Sequence, residues 1–258
     1  MPTVFSTIDS KVNKVAYQLA DRSNLISGNL GKDYKLFLIT NCKIDVEGFE
    51  NIPENGPFII AGNHLRMKKG LIRPVYDALI ASLLVYRRSG QNVRWLARPT
   101  YAFDLPKIGR KVKIPLNQTI GNVFENKYGA IMVDSVPNPK TKFRVIEKAI
   151  SCLEQGDIVG IMPEGVFSDA LLQAKKGLHY IATGYNKQNT NNSIPVIPIA
   201  GWGMEKPRGI RRRRVTIKIA EPVYLSSQDD PQESVDRVMI EIARRLPEEY
   251  RGYYSKFV

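Results

Sequence analysis

Asp157-Ile-Val-Gly-Ile-Met-Pro-Glu-Gly165 is the stretch on which the fold turns. Asp157 to Met162 is a strand-length apolar run, and Pro163-Glu164-Gly165 closes it as a turn. Just before it, Thr141 to Gln155 has helical periodicity. Phe143, Ile146, Ile150 and Leu153 share one face, and Gly156 stands where a left-handed helix cap belongs. Beyond it, Ala174, Leu178, Ile181, Ala182 and Tyr185 repeat at helical intervals. Helix, buried strand and helix in succession form the repeating unit of an α/β sheet.

The neighbouring segments extend the same alternation. Phe58 to Ala61 reads as a buried strand ending at Gly62-Asn63-His64, and Pro74 opens a mostly apolar helix to Arg88. Arg94 to Ala97 and Ala130 to Asp134 are short strands. Ile194 to Trp202 is strand-like, with prolines that suggest a strand end or an edge. Val215 to Leu225 alternates as a further strand, and Pro231 to Leu246 is a closing amphipathic helix. Nearer the N-terminus, Lys35 to Thr40 and Lys43 to Gly48 read as two extended runs. The expected fold is α/β, a largely parallel central sheet flanked by helices. A short amphipathic helix precedes it, in which Ile8, Val12, Val15, Ala16 and Leu19 form an apolar stripe beside Lys11 and Lys14. Residues 1–34 are expected to form this helical, membrane-facing segment, and residues 35–258 one domain.

Composition narrows the function. Two cysteines, Cys42 and Cys152, and two histidines, His64 and His179, carry neither a disulfide framework nor the spacing of a zinc site, so no metal is expected. No stretch combines a basic start with an apolar signal core, and none reaches the length of a membrane span. The formal net charge of the 258 residues is +13, and between His64 and Lys113 twelve basic residues face two acidic ones. So uneven a field points to an anionic partner. The run Arg211 to Arg214 raises nucleic acid as that partner, yet no helix-turn-helix, aromatic RNA-binding sheet or zinc motif accompanies it. No nucleic-acid role is expected.

In open α/β sheets, ligands gather beyond the carboxyl ends of the strands. Two such ends here carry reactive side chains, His64 and Glu164. A histidine there can take a proton from a hydroxyl, provided a carboxylate fixes its tautomer. Asp77, in the first turn of the helix after His64, is the candidate carboxylate. His179 sits between apolar residues of a helix and reads as structural.

Asn63-His64, Gly129 to Asp134, Pro163 to Ser168 and Ile194 to Pro198 together resemble the four ordered blocks of the glycerolipid acyltransferase family, whose best-known members acylate lysophosphatidic acid. The resemblance covers roughly residues 35 to 225. It implies transfer of a fatty acyl group from an acyl thioester, acyl-CoA or acyl carrier protein, to the hydroxyl of a lysophospholipid. These thioesters are co-substrates, with no bound cofactor. It implies His64 as the general base with Asp77 as its partner, and Glu164 and Gly165 as holders of the acceptor. Arg98, Lys175 and Lys176 would be substrate-binding cations. It also implies an enzyme lying on an anionic membrane surface at its cytoplasmic side.

The chain departs from the family pattern in ways that bear on the acceptor. The family's histidine and aspartate are separated by four residues, whereas twelve separate His64 from Asp77. Ser135 follows Asp134 where the family usually carries arginine, and Val166 and Phe167 follow Gly165 where it carries threonine then arginine, so two phosphate-gripping arginines are missing. Arg66, Lys68, Lys69, Arg73 and Lys175-Lys176 offer replacement charge. Two alternatives arise from these departures: another acceptor, such as glycerol 3-phosphate, or a catalytically silent member that binds anionic membranes.

Overall fold

The computed structural model describes residues 27–66, 76–98, 101–104, 111–114, 120–133, 138–189, 193–205 and 212–258. The expected helix at 8–19, the basic positions 68, 69 and 73, and Asp134 and Ser135 lie outside them.

Seven strands form one sheet in the order β1-β9-β8-β2-β7-β3-β6, where β1 is Cys42–Glu47, β2 Ile59–Gly62, β3 Val93–Ala97, β6 Ile131–Met132, β7 Ile158–Ile161, β8 Val196–Trp202 and β9 Arg213–Ile219. All pairs are parallel except β8 with β9. A separate antiparallel pair, β4 (Tyr101–Asp104) and β5 (Lys111–Ile114), stands between β3 and β6 in the chain. The expected α/β sheet, largely parallel, is therefore the observed one.

Helices cover both faces. Ile60 and Ile158 point into one apolar cluster, with Leu79, Leu83 and Leu84 of α3 (Tyr76–Ser89) and Leu30 of the one-turn α1 (Leu30–Asp33). Ile59, Ala61, Val159 and Ile161 point into the other. There they meet Leu153 of α5 (Pro139–Glu154), Leu178 of α6 (Gly177–Gln188) and Val235 and Met239 of α7 (Pro231–Arg245). A further helix, α4 (Ile120–Tyr128), leads into β6. Strands apolar on every side are what a sheet with both faces covered requires.

Two local expectations are corrected. Lys35 to Thr40 is not extended; Lys35–Asn41 is a helix, α2. Leu38 is its only buried residue, while the hydroxyl of Thr40 and the amide of Asn41 donate to the carbonyls of Leu36 and Phe37 at 2.8 and 2.7 Å. A five-residue apolar run has too little length for its period to be read. The prolines around β8 also do not mark an edge, because β8 lies between β2 and β9. Pro195 precedes the strand. Pro198 sits where the antiparallel ladder ends, its carbonyl accepting the N–H of Ala220 at 2.9 Å, so its missing donor costs only a terminal bond.

Candidate active site

The exit of β2 is tied down before it reaches its histidine. Asn63 is 2% exposed and bridges to β8 twice, its carbonyl accepting the N–H of Gly201 at 2.7 Å and its amide donating to the Gly201 carbonyl at 2.8 Å. Both polar ends of a buried amide are thus paired, which removes the cost of burying them. His64 follows, and its Nδ1 contacts Oδ2 of Asp77. The two side chains are 13% and 10% exposed. Asp77 is the second residue of α3, and its other oxygen accepts the N–H of Ala78 at 2.8 Å. A carboxylate in the first turn of a helix is favoured by the helix dipole. The twelve intervening residues therefore do not keep the histidine from its acid.

Pro163-Glu164-Gly165, at the carboxyl end of the neighbouring β7, supplies the second half of the site. Glu164 is 2% exposed, and both of its oxygens are occupied by backbone: Oε2 accepts the N–H of His64 at 2.9 Å and Oε1 that of Leu172 at 2.8 Å. Burial pushes its carboxyl above the ordinary range, and the two amides work against that shift. The side chain thus braces the histidine's backbone from inside the fold. The two loops are also stitched together, with the N–H of Ser168 donating to the carbonyl of His64 at 3.1 Å and the N–H of Arg66 to that of Ser168 at 2.7 Å. This brings the ring of Phe167 onto the imidazole, centroids 3.6 Å apart and planes 23° from parallel.

Gly165 has φ +67 and its N–H bonds to the carbonyl of Met162 at 2.9 Å. That left-handed φ is what favours glycine here, and the turn lies against Lys175, whose Nζ would stand 2.9 Å from a Cβ at this position. Lys175 is held below the usual lysine range, first by partial burial and then by the charges of Arg98 and Lys142. Arg98 follows β3 and Lys142 lies in the first turns of α5, so three elements bring cations together beside the turn. Sequence reasoning named Arg98 and Lys175 but missed Lys142, which belongs to no motif. Lys176 points elsewhere, with its charge felt by Asp230 and His179. Beside Asp77 the sheet surface falls into a narrow recess whose lining includes Ile60, Trp95, Met162, Ile199, Met204 and Ile217.

His179 is buried between α6 and α7, its Nδ1 2.7 Å from the hydroxyl of Ser234. Among the described residues, no three His, Cys, Asp or Glu side chains converge as metal ligands, and no helix is long and apolar enough to cross a membrane.

Comparison with known proteins gives this arrangement a family. The Acyltransferase family profile matches residues 43–202, from the first residues of β1 to the last of β8. Among solved structures, the chain is similar to the 1-acyl-sn-glycerophosphate (LPA) acyltransferase PlsC from Thermotoga maritima. That match has 22% identity and a TM-score of 0.52, covering 92% of this chain and 81% of that one; at this identity it shows a shared fold. No curated protein matches the sequence. With the profile spanning more than half its length and enclosing the histidine, the aspartate and the strand-end turn, this chain belongs to the Acyltransferase family.

Proposed function

We propose that this acyltransferase moves a fatty acyl group from an acyl thioester, acyl-CoA or acyl carrier protein, to the hydroxyl of a lysophospholipid such as lysophosphatidic acid, with His64 as general base. The observation that carries this reading is the direct contact of His64 Nδ1 with Asp77 at the carboxyl end of the sheet. With the Nδ1 proton held by the carboxylate, Nε2 is the free base. It takes the proton of the acceptor hydroxyl as that oxygen attacks the thioester carbonyl. The tetrahedral oxyanion then collapses, breaking the carbon–sulfur bond and releasing the thiol, which recovers the proton from His64. No covalent acyl-enzyme is formed.

The other parts of the site have consistent roles. Glu164 acts on the histidine's backbone, and Gly165 turns the chain beside the acceptor's cationic neighbour, Lys175. Arg98, Lys142 and Lys175 offer the charge that a phosphate needs, in place of arginines at positions 135 and 167. A peripheral place on an anionic membrane, at its cytoplasmic side, belongs to the same reading. It is supported by the net charge of +13 and by Leu36 and Ile39 of α2, which are 70% and 45% exposed.

The test is a transfer assay with labelled palmitoyl-CoA and palmitoyl acyl carrier protein as donors, and with lysophosphatidic acid, other lysophospholipids and glycerol 3-phosphate as acceptors. Fastest turnover with a lysophospholipid is expected. Fastest turnover with glycerol 3-phosphate would replace the acceptor. No turnover with any pair, alongside intact liposome binding, would leave a membrane-binding protein in place of the enzyme.

A further inference from the structure

The contact between His64 and Asp77 fixes one edge atom of the imidazole but leaves the ring free to swing about that contact. A second restraint is needed if Nε2 is to meet a hydroxyl in one orientation. We propose that Phe167 supplies it: its ring, stacked on one face of the His64 imidazole, is a positioning residue that holds the plane in which Nδ1 meets Asp77 and Nε2 faces the acceptor. This rests on the general-base reading above.

Three features carry the inference. The rings lie face to face, with centroids 3.6 Å apart and planes at 23°. At that separation the two rings are in van der Waals contact across their faces, so the phenyl ring fills the space into which the imidazole would otherwise tilt. The ring is also not on a free loop, because the residues flanking it are bonded to those flanking His64. Leu65 and Ser168 form a parallel bridge, the N–H of Ser168 donates to the His64 carbonyl, and the Arg66 guanidinium donates to the Phe167 carbonyl at 3.3 Å. Finally, the other restraints on His64 act elsewhere. Asp77 holds the Nδ1 edge and Glu164 the backbone N–H, so the ring face is the position left for Phe167 to control. Acceptor approach is thereby confined to the Nε2 edge and the opposite face. When Nε2 has taken the proton, the charged ring lies against the electron-rich face of a phenyl group.

The chain has two histidines, so their ring protons can be assigned by comparison with His64→Ala. In the full-length protein, the His64 ring protons are expected to be displaced upfield by the neighbouring phenyl ring. Phe167→Leu should abolish that displacement and lower kcat between about three- and tenfold, with the acceptor KM within about twofold of wild type. Phe167→Tyr should restore both, and closely similar melting temperatures would separate loss of positioning from loss of fold. A wild-type kcat in Phe167→Leu, or a loss that Tyr does not rescue, would overturn the proposal. So would an upfield displacement that persists without the phenyl ring, whatever the kinetics. A His64→Ala variant that turns over like wild type would instead overturn the general-base reading.

Discussion

His64 and His179 each bring Nδ1 to an oxygen, Oδ2 of Asp77 in one case and Oγ of Ser234 in the other. The two surroundings respond differently to a proton gained by the ring. A carboxylate balances the imidazolium and fixes the tautomer, leaving Nε2 as the acceptor. A hydroxyl can donate or accept, and brings no charge. His64 stands at a strand end with its side chain 13% exposed, whereas His179 is 4% exposed and packed between two helices. Burial depresses the pKa of His179, since its charged form would have to leave water. The difference teaches that a partnered histidine is common to both places. A reactive one is marked by an anionic partner together with an open edge.

The largest expected effect removes one side of this contrast. His64→Ala should cost about 10² to 10⁴ in kcat, and Asp77→Asn, which frees the tautomer and the ring, about 10². Matched kinetics of the two variants against His179→Gln check both, and an Asp77→Asn enzyme at wild-type rate would break the comparison. Next comes Glu164→Gln. A single amide oxygen cannot replace two carboxylate oxygens, so one of the N–H groups of His64 and Leu172 is left without its acceptor. The expected cost is about 1–3 kcal/mol in urea unfolding, together with lower kcat.

Lys175→Met tests the charge beside the Pro163-Glu164-Gly165 turn. It should raise the KM of a phosphate-bearing acceptor about tenfold with little change in kcat, as expected for uniform binding lost with one charge-assisted contact. An equal rise for an acceptor without phosphate would contradict that role. The smallest effect belongs to His179. Its folded pKa lies below the ordinary 6.5, so as pH falls the unfolded chain takes up the proton first. Stability is therefore full above 6.5 and is lost as pH falls from there through the folded value. His179→Gln should flatten this slope in urea unfolding between neutral and mildly acidic pH, with kcat within about twofold of wild type. An unchanged slope would mean that another group titrates.

Much of this was legible from residue order because the relevant signals are local. The strand Ile158–Ile161 and the helices on either side announce themselves by period and caps. Asp77 was legible as the partner of His64 despite the long interval, because Pro74 marks a helix start and the first turn of that helix fixes where an acidic residue stands. Other features depend on contacts between segments distant in the chain. A glutamate at a strand-to-helix turn looks the same whether it faces substrate or, like Glu164, accepts two backbone N–H groups from inside. The stack of Phe167 on His64 needs the bridge between Leu65 and Ser168, which no periodicity announces. Lys142 joins Arg98 and Lys175 only through the packing of α5 beside the sheet. The helix at Lys35–Asn41 escapes a sequence reading because its apolar residues are mostly exposed, so there is no buried stripe to recognise.

The central claim, that His64 rather than any other group takes the acceptor's proton, is tested most directly by placing His64→Ala and His179→Ala side by side in the transfer assay. Loss of turnover by at least about 10²-fold in the first, with near wild-type turnover in the second, is the predicted result. Turnover that survives without His64 would contradict the account.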